Sequence, residues 1–241
     1  MIAEMEQLEY ETKPSDYFQC PRPEMLPFVP VRCKRVLDVG CAEGAFGESL
    51  KMARGIEVWG VEPTTSAAVI ARARLDNVIE GIFGPELNLP TGTFDCILFN
   101  DVLEHMLAPE KALRYARGLL APGGVIVASI PNVRNFPIVW DLVRHARWEY
   151  RDCGVLDRTH LRFFTKLSII QMFEREGFSL DKVCGIKPFS AIPRANRVVW
   201  WAYRALNVIS FGNFHDMRFL QIAIVARPAT RFQNGGGASG V

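Results

Sequence analysis

An α/β fold, a parallel sheet with helices on both faces, follows from three features of this chain. Apolar runs of strand length alternate with amphipathic runs of helix length. The first apolar run, at 36–39, opens into a glycine loop, and the second ends on an acid, Glu62. Such a strand–helix alternation places successive strands side by side and parallel, with the helices packed over them.

The elements follow in order. Residues 17–30, YFQCPRPEMLPFVP, form a short helical lead-in broken by prolines. Strands are expected at 35–39, 57–61, 77–80, 95–99 and 124–130, and helices at 44–54, 64–75 and 109–120. Gly123 and Gly124, after Pro122, are expected to stop the third helix. The stretch 131–165 is unusually rich in Arg, His and aromatic residues. A helix at 166–176 ends at Gly177, and a strand follows near 179–186. FLQIAIVA, at 219–226, is the last strand. The expected layout is a flexible N-terminus at 1–16, one domain at 17–228 with insertions at 131–165 and 187–217, and a flexible tail at 229–241.

Composition excludes several classes. A chain of 241 residues with 49% hydrophobic content suits one sizeable core. A net charge of +2 gives no electrostatic case for nucleic acid. The acidic, polar start MIAEMEQLEYETK does not read as a signal peptide, and no run of ~18 apolar residues suggests a membrane span. The six cysteines (20, 33, 41, 96, 153, 184) show no C-x-x-C pairing. Free thiols in a cytoplasmic protein are the simplest expectation.

The glycine loop narrows the ligand. A dinucleotide fingerprint needs G-x-G-x-x-G, which lets the backbone close on a pyrophosphate. Here VLDVGCAEGAFG (36–47) places Ala42 at the second glycine position, and the spacing is D-x-G-x-x-x-G. Asp38 would repel a phosphate and attract a cationic amine. Residues 36–47 resemble the first motif of class I S-adenosylmethionine (SAM)-dependent methyltransferases. Glu62 in WGVEP resembles the second, FDCILFNDVLEHM (94–106) the fourth, and LLAPGGVIVASIPN (119–132) the segment that follows. The resemblance implies a Rossmann-like sheet of seven strands, ordered 3-2-1-4-5-7-6 with the last strand antiparallel. It makes SAM the cofactor. Asp38, Gly40, Cys41 and Gly44 would shape the amino-acid end, Glu62 would take the ribose hydroxyls, and Pro63, Ile82 and Phe83 would flank adenine. Asn100 and Asp101 would lie beside the cofactor, and Tyr17 and Arg22 would close over the methionine carboxylate.

Methyl transfer to a hydroxyl needs a group that removes a proton. His105, one turn beyond the fourth strand, is one candidate; the alternative is a surface pair with Glu104. His160, in GVLDRTHLRFFTK (154–166), is the second. The alternative there is a structural Asp157–Arg158 pair with His160 bound to backbone. The pattern of Asp101, Glu104, His105, His160 and Thr165 also resembles the metal site of small-RNA 2′-O-methyltransferases. That resemblance leaves a divalent ion open as a second cofactor.

The stretch VVWWAYRALNVISFG (198–212) is strongly apolar. A helical core or dimer contact is the first expectation. A lid over a greasy acceptor or a peripheral membrane contact is the other, with Arg194, Arg197 and Arg204 favouring anionic headgroups or a pyrophosphate-linked carrier. The RPEM lead-in and DRTHLRFFT together resemble bacterial methyltransferases that accompany glycosyltransferases. A sugar hydroxyl on a free or carrier-linked glycan is therefore the first acceptor expected. An aromatic or quinone-type hydroxyl is the alternative, and a non-catalytic SAM-binding partner a further one.

Overall fold

A computed structural model describes residues 21–189 and 197–229. Seven strands form one sheet: β1 (Arg35–Val39), β2 (Glu57–Glu62), β3 (Asn77–Glu80), β4 (Phe94–Asn100), β5 (Leu120–Pro131), β6 (Phe178–Pro188) and β7 (Phe219–Pro228). Their order is β3-β2-β1-β4-β5-β7-β6. β1 to β5 pair in parallel, and β7 runs antiparallel to both β5 and β6. Among the described residues six α-helices accompany them: α1 (Ala45–Arg54), α2 (Thr65–Ala71), α3 (Pro109–Leu119), α4 (Phe136–His145), α5 (Lys166–Arg175) and α6 (Arg197–Ile209). Fold class and strand order are as expected.

The central strands are apolar on both sides because both sides are covered. Alternate residues of β4 and β5 point to opposite faces. Ile97, Phe99, Ile126, Ala128 and Ile130 join Leu113, Ala116, Ile169 and Phe173 of α3 and α5 in one core. Cys96, Leu98, Val125 and Val127 join Phe46 and Leu50 of α1, and Met25 of the lead-in, in the other. Gly47 lets α1 approach: a Cβ there would stand 2.5 Å from Leu75 Cδ2 and 2.9 Å from Val58 Cγ1.

The third helix ends within a residue of the expected 120, but the glycines do not cap it. α3 stops at Leu119, and β5 begins at Leu120 and not at 124, so Pro122, Gly123 and Gly124 lie in its irregular start. There the pairing with β4 shifts register between Phe94 and Cys96. A proline at 122 disfavours helical backbone at Ala121, so the helix must end earlier than the glycines. The second helix is shorter than expected. It ends at Ala71, and Asp76, which accepts a hydrogen bond from the Val58 amide at 2.8 Å, turns the chain into β3.

α4, inside the stretch 131–165, was not foreseen. Asn135 precedes it and Pro137 occupies its first turn, a start signal readable in the sequence. Phe136 of α4 meets Phe189, Tyr203 of α6 and Met217 in a third, smaller apolar cluster. The expectations for 1–16, for Tyr17 and for almost all of the tail lie outside the described residues.

Candidate active site

The chain builds β1, β2 and β3 outward, then crosses back to place β4 on the other side of β1. Loops leaving β1 and β4 therefore diverge, which opens a crevice at the carboxyl ends of the strands. A cleft of about 950 Å³ occupies this place. Asp38, Gly40, Cys41, Glu62, Pro63, Ile82, Phe83, Asn100, Asp101, His105 and Arg22 all line it, as do Thr64, Tyr115 and Lys187, which sequence reasoning missed. Gly44 is not among the lining residues. It caps α1 from a left-handed backbone, φ 81°.

The floor of the cleft is acidic. Asp38 is 3% exposed, and burial first, then the Glu62 carboxylate, push it up to about 7. Glu62 Oε2 accepts the Ala42 amide at 2.8 Å and Oε1 accepts the Thr64 amide at 2.9 Å. Burial still raises its pKa, against those bonds. Gly40 has φ 65°, and a Cβ on it would meet Val102 Cγ2 at 2.8 Å. Ala42 also adopts a left-handed φ, 50°. The loop thus keeps a glycine-like turn at the position where the dinucleotide motif has its second glycine. Burial drives the Cys41 thiol far up, so it stays protonated.

A second wall is tied across the whole chain. Arg22 donates to the Asp101 carboxylate, to Ser129 Oγ at 2.7 Å and to Gln221 Oε1 at 3.1 Å. Gln221 Nε2 in turn donates to both Asp101 oxygens, at 2.8 and 2.9 Å. Arg22 and Asp101 both hold positive φ, 46° and 57°. Lys187 and Arg22 share Glu24 Oε1, at 2.9 and 3.0 Å.

Beside the cleft lies a smaller cavity of about 200 Å³, lined by Glu104, Asp157, His160 and Gln221 among others. Asp101, His105 and Lys187 line both spaces and mark where they meet. Glu104 and His105 sit on a 3-10 turn, Leu103–His105, and Glu104 is buried rather than part of a surface pair. Its carboxyl is pushed well up by burial and then by Asp101. His105 Nδ1 is 3.1 Å from the Thr159 carbonyl oxygen, and His160 Nδ1 is 3.0 Å from that of Val155. A carbonyl only accepts, so each Nδ1 carries a proton, and in a neutral His105 Nε2 then keeps the lone pair. The two rings meet edge to face with centroids 4.7 Å apart. Burial, then His160, lower the His105 pKa to about 4, so it is neutral at pH 7.

Glu104, His105 and His160 offer ligand atoms within 4.8 Å of one another, a donor set that suits a divalent ion. Asp101 is not in that group; its carboxylate is held by Arg22 and Gln221. Thr165 is not in it either, since it caps α5 in a reciprocal pair with Ser168. Nor do Asp157 and Arg158 pair. Asp157 accepts from Thr159, and Arg158 reaches Asp152 at 2.7 Å.

Residues 15–183 match the family described as a methyltransferase domain. The chain belongs to the class I SAM-dependent methyltransferases. It is 30% identical, over 160 residues, to a ubiquinone biosynthesis O-methyltransferase of Chromobacterium violaceum, covering 64% of this chain and 68% of that one. To the enzyme of the same name from Azorhizobium caulinodans it is 25% identical over 170 residues, covering 65% and 63%. The chain therefore spans about two thirds of the length of these relatives. A solved SAM-dependent methyltransferase from Archaeoglobus fulgidus shares the fold, with a TM-score of 0.61 at 20% identity, over 84% of this chain and 90% of that one.

The residues of this methyltransferase suit its cofactor. Both polar atoms of the Asn100 side chain are buried with no hydrogen-bond partner among the described residues, although the side chain lines the cleft. Such an amide is costly unless a ligand completes it. The acidic floor suits a cationic amine and sulfonium.

Proposed function

We propose that this methyltransferase methylates a hydroxyl of an aromatic, quinone-type small molecule. The observation that carries O-methylation is the tautomer of His105, whose Nδ1–H is committed to the Thr159 carbonyl, at the point where cleft and smaller cavity meet. Its Nε2 is then the basic atom where an acceptor hydroxyl would enter. The quinone-type acceptor is supported by the names of the two relatives. Neither name points to a glycan, so the sugar hydroxyl expected first gives way to the alternative.

SAM, when bound, supplies a methyl group already activated on a sulfonium. Glu62 would offer its remaining lone pairs to the ribose hydroxyls, and Asp38 a carboxylate to the amine. Arg22 would hold the methionine carboxylate, and Pro63, Ile82 and Phe83 would pack on the adenine. His105 would take the hydroxyl proton as the methyl group passes to the oxygen. It would become cationic as the cofactor loses its positive charge, so the total charge of the site would be conserved. That matters for a histidine whose charged form is otherwise disfavoured by burial. His160 sets the edge of the acceptor cavity and holds the His105 ring in place.

His105→Ala is expected to lower kcat by roughly 10²- to 10⁴-fold, the usual worth of a positioned base. SAM affinity by calorimetry should stay unchanged. Turnover is measured with catechols and with sugar nucleotides; methylation of sugar nucleotides alone would overturn the acceptor assignment.

A further inference from the structure

We propose that the outer face of α6 seats this enzyme on an anionic lipid surface. α6 carries apolar residues on two faces, one packed and one exposed. Val199, Trp200 and Tyr203 face the cluster built on Phe136, Phe189 and Met217. Val198, Trp201, Ala205, Val208 and Ile209 lie on the other side at helical spacing, and all are exposed. Trp201 is 59% exposed, Val208 74% and Ile209 75%, and Phe211 just beyond the helix is 97% exposed. A contiguous apolar stripe of this kind marks an interaction surface rather than scatter.

Charge decides what covers it. Between Lys187 and His215 the sequence contains no Asp or Glu, but has Lys187, Arg194, Arg197 and Arg204. Arg204 is exposed, with its guanidinium 5.4 Å from the centre of the Trp201 ring. Arg144 and Arg147, at the end of α4, are exposed as well, and α4 packs on α6 through Phe136 and Tyr203, 5.6 Å between centroids. A second copy seated on this face by a two-fold axis would bring arginine against arginine. An anionic headgroup layer accepts the arginines while the aromatic and aliphatic side chains enter the boundary beneath it. Among the described residues no helix is long and apolar enough to cross a membrane, so the seat is peripheral.

The placement has a use, which rests on the quinone-type reading above. Phe189, buried against Trp200 and Tyr203, is two residues from Lys187 at the junction of the two cavities. A seated α6 holds the acceptor cavity beside the lipid surface, where an acceptor with an apolar tail resides.

Co-sedimentation with phosphatidylcholine vesicles, with and without phosphatidylglycerol, tests the seat without any acceptor present. Wild-type protein should bind the vesicles containing phosphatidylglycerol and release at high salt. The double variant Val208→Asp/Ile209→Asp should lower the partition coefficient by roughly tenfold or more, given the apolar area lost. Arg204→Glu should weaken binding to anionic vesicles only. Circular dichroism and turnover of a water-soluble catechol confirm that the variants fold. Equal binding by wild type and double variant, no wild-type binding, or a wild-type dimer in light scattering that the double variant turns to monomer would each overturn the proposal. Vesicle binding with no catechol turnover by any form would leave the seat standing and remove the acceptor reading instead.

Discussion

Asp38 gives the site a pH signature. An unfolded Asp titrates near ~3.9, whereas burial and Glu62 hold Asp38 at about 7 in the folded chain. Between those values the folded chain keeps a proton that the unfolded chain has released. Stability of the enzyme without SAM should therefore fall as pH rises from ~4 to 7, as urea titrations at several pH values would show. SAM affinity should run the other way. The cationic amine needs the carboxylate, so affinity rises with pH up to about 7 and then levels off. Asp38→Asn should flatten that profile in calorimetry; a profile unchanged by the substitution would remove Asp38 from the amine. His105 makes a second prediction. Acting as a base, it leaves turnover intact in EDTA. Loss in EDTA with recovery in Mg²⁺ or Mn²⁺ would give Glu104, His105 and His160 to a metal ion instead. Much of this was legible in the sequence, because a glycine loop and a strand-end acid are local patterns. The Arg22–Asp101–Gln221 tie was not. It joins residues remote in sequence, and Asp101 takes a left-handed backbone without the glycine that would have signalled it.

At the scale of elements, Gly47 opposes propensity to packing. Gly47→Ala should gain up to ~1 kcal/mol of helix propensity. The added Cβ, at 2.5 Å from Leu75 Cδ2 and 2.9 Å from Val58 Cγ1, forces α1 off β2 at a cost of about 1–3 kcal/mol. Packing wins, so the variant should show a lower urea midpoint; a raised midpoint would mean that α1 tolerates the shift. The strands were easy to read because buried parallel strands are continuous apolar runs. The end of α3 falls within a residue of the expected 120; the start of β5, at Leu120 instead of 124, was misread, since Pro122 and the glycines lie inside that strand and do not cap the helix. α4 escaped notice although Asn135 and Pro137 announce it. Its apolar side faces a partner helix from a distant insertion, and its own sequence shows half of that contact.

For the whole molecule, periodicity could establish parallel strands but not where the last one goes; that order came from the family resemblance. Ending the chain after Arg218 should abolish SAM binding and leave the product aggregated, as size exclusion would report. A soluble truncation that still binds SAM would contradict this. The reason lies in β7, which separates β5 from β6 and carries Gln221 into the cleft wall. Within this sheet β6 pairs with β7 alone, and the strand that gives β6 its neighbour also brings Gln221 to Arg22 and Asp101. SAM, which stabilises by mass action whatever can bind it, should therefore hold the β5–β7–β6 seam together as well as the cleft it fills.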